Sequence, residues 1–303
     1  MKHLSSLLVV SAAFASLALS QQTELRGPVA GFLYERAARS LRPVLGILGS
    51  AHLGDPLLSG VDAAAVSPDG RIALAVADGD LIRVDLSSGD RQRTPGAGAA
   101  DRVLWNRISS AALIANASTG RLALWEPAGG ITELAAMPNA IAAAAVSDSG
   151  DLAVASGGGI YAVARAGNPR LIAPVEEFGG LALQAGDLFF VDRGSKTIYR
   201  VRDFASSASV EKIGAAPAGA AGLGLSRDGQ TLFVASGESR SIHAIRVATG
   251  EAAGEIALDF APSAVEPLSG SAFLLNPGES GPLQVLDVRS EPAVYFVPAF
   301  SVN

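Results

Sequence analysis

From Asp62 onward, short apolar runs alternate with polar turns, and the runs differ in kind according to their place in the alternation. A run of very small residues comes first, as in Ala63-Ala-Ala-Val66, Ala142-Ala-Ala-Ala-Val146 and Gly222-Leu-Gly-Leu225. A turn follows, as in Val66-Ser-Pro-Asp-Gly70 or Val146-Ser-Asp-Ser-Gly150, then a second and bulkier apolar run ending in a small polar residue, then a third run and a ragged fourth. The small-residue runs start near Asp62, Asp101, Ala140, Gly180, Ala220 and Pro262, at separations of 39, 39, 40, 40 and 42 residues. Second strands are expected over 71–77, 111–115, 152–155, 188–191, 231–235 and 272–275, and third strands over 81–86, 121–125, 160–164, 197–201, 241–247 and 282–288. Several alternate, as in Ile198-Tyr-Arg-Val-Arg202, which marks one buried and one wetter face.

A period near 40 residues with several strands per period predicts an all-β β-propeller of four-stranded blades. Strands nearest the axis converge, so Ala, Gly and Val belong there, while Trp125, Phe189, Phe190, Tyr199 and Phe233 fill the wider spaces further out. Six complete repeats are present, and segment 29–47 ahead of them reads as the outer hairpin of another blade. The ring is therefore expected to be seven-bladed with a partial blade over 27–58, or six-bladed with that segment as a closing hairpin. Seven is preferred because an N-terminal hairpin can cover the last open edge. Ala293-Val-Tyr-Phe-Val297 reads as a further strand taking part in closure.

Composition changes this picture mainly at the N-terminus. Lys2, an apolar stretch over 4–19 and Ala18-Leu-Ser20 before Gln21 have the layout of an export signal, so residues 1–20 are expected to be a signal peptide and 21–303 a single propeller domain, secreted or periplasmic. The apolar stretch is short for a bilayer span, so a cleaved signal is preferred to the alternative of an uncleaved anchor, and no transmembrane segment is expected after cleavage. There is no Cys, so disulfides play no part. The 49% hydrophobic content with only 6% aromatics suits closely stacked sheets. The net charge of −6 and the lack of any basic run argue against a nucleic-acid partner. A monomer binding a protein or small molecule on a propeller face is the expectation.

Leu232-Phe-Val-Ala-Ser-Gly-Glu-Ser-Arg-Ser-Ile-His-Ala-Ile-Arg-Val-Ala-Thr-Gly250 resembles the repeat of YVTN-type propellers, although Ser156 and Ser236 stand where Asn is typical. Leu188-Phe-Phe-Val-Asp-Arg-Gly-Ser-Lys-Thr-Ile-Tyr-Arg-Val201 is similar to an NHL repeat, and Val66-Ser-Pro-Asp-Gly70 to the turn of TolB-type and WD-like propellers. These resemblances imply architecture; the families include lactonases, receptor-like binders, surface-layer proteins and scaffolds, so function must come from the site.

The residues ending the second strands are Asp78, Asn116, Ser156, Asp192, Ser236 and Asn276, all small and polar. Loops joining second to third strands open on the same face as the chain's passage into the next blade, so these six are candidate ligand-binding residues. The competing explanation is that each bonds its own turn, as Asp, Asn and Ser do locally. Asp69-Gly70 and Asp228-Gly229 are turn formers of the opposite face. His52, placed ahead of the first complete repeat and on the ligand-side face, joins the candidates; His243 lies within a third strand, and a packed or surface role fits it best. No residues form a catalytic constellation, and no cofactor or metal is expected. The alternative function is a lactonase-like hydrolase holding a divalent ion on the axis with Asp78, Asn116, Asp192 and Asn276, since lactonase-type propellers use Glu, Asn and Asp from several blades. Glu176-Glu177 reads as a solvated pair, Gly157-Gly-Gly159 lacks the helix and Lys of a phosphate loop, and Asn116-Ala-Ser118 has sequon spacing.

Overall fold

The computed structural model describes residues 27–184, 186–277 and 281–298. The expected signal peptide lies outside them. Seven separate antiparallel sheets follow one another along the chain. The first holds β1 (Val29–Glu35), β2 (Ser40–Leu45), β3 (His52–Leu53) and β4 (Leu58–Ser59), and the second β5 (Ala63–Val66), β6 (Ile72–Ala77), β7 (Asp80–Asp85) and β8 (Arg91–Thr94). The third holds β9 (Arg102–Trp105), β10 (Ala112–Asn116), β11 (Arg121–Glu126) and β12 (Gly130–Glu133), and the fourth β13 (Ile141–Val146), β14 (Leu152–Ser156), β15 (Gly159–Val163) and β16 (Arg170–Pro174). The fifth holds β17 (Phe178–Gln184), β18 (Asp187–Asp192), β19 (Thr197–Arg202) and β20 (Ser209–Ala215), and the sixth β21 (Ala220–Leu225), β22 (Thr231–Ser236), β23 (Ser241–Arg246) and β24 (Ala252–Ala257). The seventh holds β25 (Glu266–Ser269), β26 (Ala272–Leu274), β27 (Leu283–Asp287) and β28 (Ala293–Val297). Each of the last six is a simple meander in which a strand pairs with the next in sequence.

Seven apolar clusters glue the sheets face to face, one at each interface between consecutive blades. The pair of first and second blades shares Leu41, Leu58, Ala64 and Ala73, for example, and the third and fourth share Leu113, Leu122, Leu152 and Val154. The cluster that closes the circle joins Leu33, Val44 and Leu53 of the first blade to Leu268, Leu274, Val285 and Val297 of the seventh. The molecule is thus a seven-bladed β-propeller, closed by packing of whole blades, with no strand crossing from one terminal blade to the other sheet. β28 is the outer strand of the seventh blade and joins the closure through Val297.

The small residues sit where the inner strands converge. A Cβ placed on Gly222 of β21 would collide with the backbone of Ala264 and Val265 entering the seventh blade, and one on Gly180 of β17 would lie 2.8 Å from the Leu223 nitrogen. Only Gly allows that approach of backbone to backbone.

The first blade departs from the expectation of an outer hairpin. β1 occupies the innermost place, flanked by β5 and β25, yet it runs against the direction of every other inner strand. The Tyr34 hydroxyl, near its end, donates to the carbonyls of Val61 and Asp62 at 3.0 and 2.6 Å. In the following turn, Arg39 meets the Asp62 carboxylate at 2.5 Å and Arg36 donates to the Asp101 carbonyl at 3.2 Å. Asp62 and Asp101 precede the starts of β5 and β9, so the end of β1 lies level with the beginnings of its counterparts. Strand count explains the inversion. A complete blade makes four passes and finishes on the face where it began, whereas β3 and β4 both pair with β2 and together form one interrupted third pass. Three passes leave the chain on the correct face for β5 only if the first pass runs the other way.

Candidate ligand-binding site

The six strand-end residues all lie on one face, called the upper face below, and each bonds within its own blade. Asn116 Oδ1 accepts from the Ser118 hydroxyl and the Thr119 N–H, closing its own turn. Asp192 accepts from the N–H groups of Glu177 and Gly194 and from the Ser195 hydroxyl. Burial pushes the Asp192 carboxyl up, but those donors outweigh it and hold the group below the usual carboxylate range. Ser156 donates to the Asn139 carbonyl, and Ser236 donates to the Ala218 carbonyl while accepting from Ser239. Asn276 clips the far side of its loop through the Pro282 carbonyl and the Gln284 N–H. Asp78 differs: its φ is 54°, its N–H donates to the Asp62 carboxylate, and its own carboxylate stands out in solvent 3.9 Å from Arg93. Five of the six therefore use their side chains to tie the loop between second and third strands, three of them to the segment that brings the chain into the same blade.

His52 lies at the opposite end of the ring from those loops. It opens β3 opposite Leu45, and inversion of the first blade puts that end of β2 on the lower face. The expectation of a ligand-side position assumed a blade of ordinary direction. His243 is half-buried in β23 and shares its Nε2 with the hydroxyls of Ser241 at 2.9 Å and Ser239 at 3.3 Å. Glu255 lies 3.8 Å from the same nitrogen. A base needs a separate orienting group on its second nitrogen, so this cluster lacks the geometry of a relay. Glu177 pairs with Arg193 at 2.7 Å, and no group of three or more His, Cys, Asp or Glu is gathered among the described residues.

A group of charges over the axis is not marked by the repeat pattern. The first residues of β5, β13, β17 and β21 are Ala63, Ile141, Phe178 and Ala220, but β9 starts with Arg102 and β25 with Glu266. Comparison of the copies residue by residue would have exposed these two departures. Arg36 from the inverted hairpin completes the group. Its bond to the Asp101 carbonyl carries it from the first blade past the second to the third, across the mouth of the channel. Arg102 in turn donates to the Ala142 carbonyl of the fourth blade at 3.0 Å. Both arginines are anchored by neutral carbonyls, and among the described residues neither bonds a carboxylate.

Glu266 stands on the seventh blade, and the nearby charges of Arg102 and Arg36 act on its carboxyl. Burial among the converging blades raises its pKa, and the attraction of Arg102 and then Arg36 only partly offsets that rise. The Glu266 side chain is exposed to solvent at the mouth, while the sheets crowded around it still hinder its full hydration. No ion pair forms between it and either arginine. A hollow of about 530 Å³ lies elsewhere, on the flank between the first two blades, where Leu57, Leu58, Val61 and Ile82 face Arg91 and Arg93 beside the interrupted third pass.

No known family model matches the chain, and no curated protein matches it in sequence. Solved structures do match in shape. Virginiamycin B lyase from Staphylococcus aureus superposes with a TM-score of 0.56 at 14% identity, covering 80% of this chain and 85% of that one. Kluyveromyces lactis Hsv2 gives 0.56 at 14% identity over 76% and 75% of the two chains. The β-propeller domain of Myceliophteria thermophila Cps50 (Swd1) gives 0.54 at 11% identity over 90% and 98%. At such identities a shared shape speaks for the fold alone, and what these neighbours have in common with this chain is the β-propeller.

Proposed function

We propose that this propeller is a secreted or periplasmic, non-catalytic binding module whose ligand sits over the upper mouth of the axial channel. The supporting observation is the set Arg36, Arg102 and Glu266, brought together from the first, third and seventh blades and left without side-chain partners among themselves. Charged groups held in place by a rigid scaffold but not neutralised by it are suited to recognition. The strand-end residues contribute as braces, fixing the loops that rim the mouth. Export follows from the layout of the first 20 residues, and mass analysis of the exported protein should find a chain beginning at Gln21.

A ligand-observed NMR screen of small molecules tests the binding role, with the Arg36→Gln/Arg102→Gln protein as control. Hits are expected to disappear in the control while its melting temperature stays close to that of the parent. Persistence of every hit would place binding elsewhere. Turnover of lactones, esters or phosphoesters, lost on mutating Asp78 or Asp192, would replace the proposal by the metal-dependent hydrolase, as would a calcium-dependent rise in melting temperature.

A further inference from the structure

We propose that the upper mouth binds a small carboxylate-bearing molecule between Arg36 and Arg102, and that Glu266 takes up a proton as the anion enters. This rests on the binding role argued above and adds the ligand's chemistry and its pH dependence.

The geometry favours an anion. The Arg36 and Arg102 guanidinium groups are drawn to the same rim by neighbouring inner strands, through the carbonyls of Asp101, just ahead of β9, and of Ala142, the second residue of β13. Each carbonyl satisfies one donor of a five-donor fork and none of the charge. Two like charges are thus held over one opening by neutral anchors, in a protein whose net charge is −6. Three carboxylates beside the inverted turn and the start of β9 are already engaged. Asp62 bonds Arg39 and the Asp78 N–H, and Asp101 Oδ1 accepts from the Ala117 N–H at 2.9 Å. Glu35, at the end of β1, pairs with Arg42 at 3.3 Å. A carboxylate from solution can meet the two free forks in the planar, paired manner that arginine favours.

Glu266 is the one acid of the group that opposes such a ligand. The elements packed against β25 bring few other groups to it: β1 and its turn carry Tyr34, bonded to the carbonyls of Val61 and Asp62, Glu35, paired with Arg42, Arg39, paired with Asp62, and Arg36, while β21 and β26 carry no titratable residue. Arg102 acts from across the channel. While Glu266 is ionised it repels the incoming carboxylate and satisfies part of the arginine field. Protonated, it gives up that repulsion and becomes a hydrogen-bond donor. Its pKa already lies above the ordinary value through burial, and a bound anion would raise it further. Affinity should therefore be greatest below the carboxyl's pKa and fall as the pH rises through it, by up to about tenfold per pH unit where one proton is linked.

Titration calorimetry with succinate, succinamide and putrescine tests this, in buffers free of carboxylate, from pH 6.5 to 8, where succinate itself stays ionised. Succinate should bind, more weakly as pH rises, with proton uptake that shows as a buffer-dependent heat; its diamide and putrescine should not. Arg36→Gln/Arg102→Gln should abolish binding, and Glu266→Gln should keep it while removing the pH dependence. Amide chemical shifts of Arg102 and Glu266 report whether the mouth is occupied. Binding of putrescine or succinamide with those shifts would leave the mouth as the site and overturn the anion. Succinate binding that weakens identically in the Glu266→Gln protein would overturn the role of the proton. Shifts confined to other surfaces for every probe would overturn the mouth itself.

Discussion

The sixth blade and the first solve the same packing problem with different numbers of strands. β21 to β24 form a regular four-pass meander in which Ser236 ties the loop after the second strand to the approach at Ala218. The first blade has three passes, the last broken at Asp55-Pro56 between β3 and β4. Its apolar faces are as well buried: Leu41 is 1% exposed and Val44 0%. Burial of a blade therefore depends on its two faces and little on its outer rim, which leaves the fourth strand dispensable. Direction is what the missing strand does change. An odd number of passes inverts β1, and inversion carries the turn with Arg36 and Arg39 to the upper face, where the other blades present their chain approaches. The departure in blade construction is thus what supplies one of the two axial arginines.

The largest effects should come from truncating the face-to-face core in both blade types. Leu152→Ala and Leu41→Ala each remove a side chain at most 1% exposed, one between regular blades and one between the first two. A loss of about 2–5 kcal/mol is expected for each, depending on how far the surroundings collapse. Leu41 packs with Leu58 and Val61, which also line the flank hollow of about 530 Å³, so they have room to move toward the truncated site. Chemical denaturation should place Leu41→Ala at the lower end and Leu152→Ala at the upper. Equal losses would mean that the broken blade is packed as stiffly as the regular ones.

The next comparison concerns how closely inner strands approach. Gly222→Ala drives a methyl group into the backbone of Ala264 and Val265, which cannot step aside. Overpacking of this kind costs about 1–3 kcal/mol. Gly31→Ala on the inverted strand meets Leu268, with its Cγ at 2.6 Å and its carbonyl oxygen at 2.7 Å. Part of that obstacle is a side chain able to rotate, so the destabilisation should be smaller, as measured by the shift in denaturation midpoint. The reverse order would show that the seam between first and seventh blades is the less forgiving one.

Legibility in the sequence follows from what the pattern can encode. Runs such as Ala63-Ala-Ala-Val66 and Leu232-Phe-Val-Ala-Ser236 carry both the strand and its distance from the axis, because residue size must follow the space available. The turn formers were equally plain, and Asn116, Asp192 and Asn276 bond their own loops as their residue types suggest. The direction of β1 was not readable. Alternation of period two is the same in either sense, so Ala30 to Glu35 looks identical running up or down. The axial charges escaped for another reason. Arg36, Arg102 and Glu266 are neighbours only once the ring has closed, and nothing in their local surroundings marks them except that two replace the apolar residue starting an inner strand.

The smallest effects should come from the polar ties of the inverted turn, and these distinguish packing from tethering as the cause of its position. Tyr34→Phe removes a hydroxyl bonded to the carbonyls of Val61 and Asp62, with an expected loss of about 0.5–1.5 kcal/mol. Arg39→Gln breaks a pair whose side chains are 52% and 37% exposed, which should cost about 0.2–1 kcal/mol and less at high salt. Asp62→Asn disturbs that pair and also the bond from the Asp78 N–H, so it should exceed Arg39→Gln. A double-mutant cycle between Arg39 and Asp62 isolates the pair itself. Coupling within that small range would mean that the apolar seams at Leu33 and Leu41 hold the inverted blade in place, with the turn merely following. A coupling several times larger would make the Arg39–Asp62 contact the tether that brings Arg36 over the channel, and Arg39→Gln should then weaken ligand binding at the mouth as well.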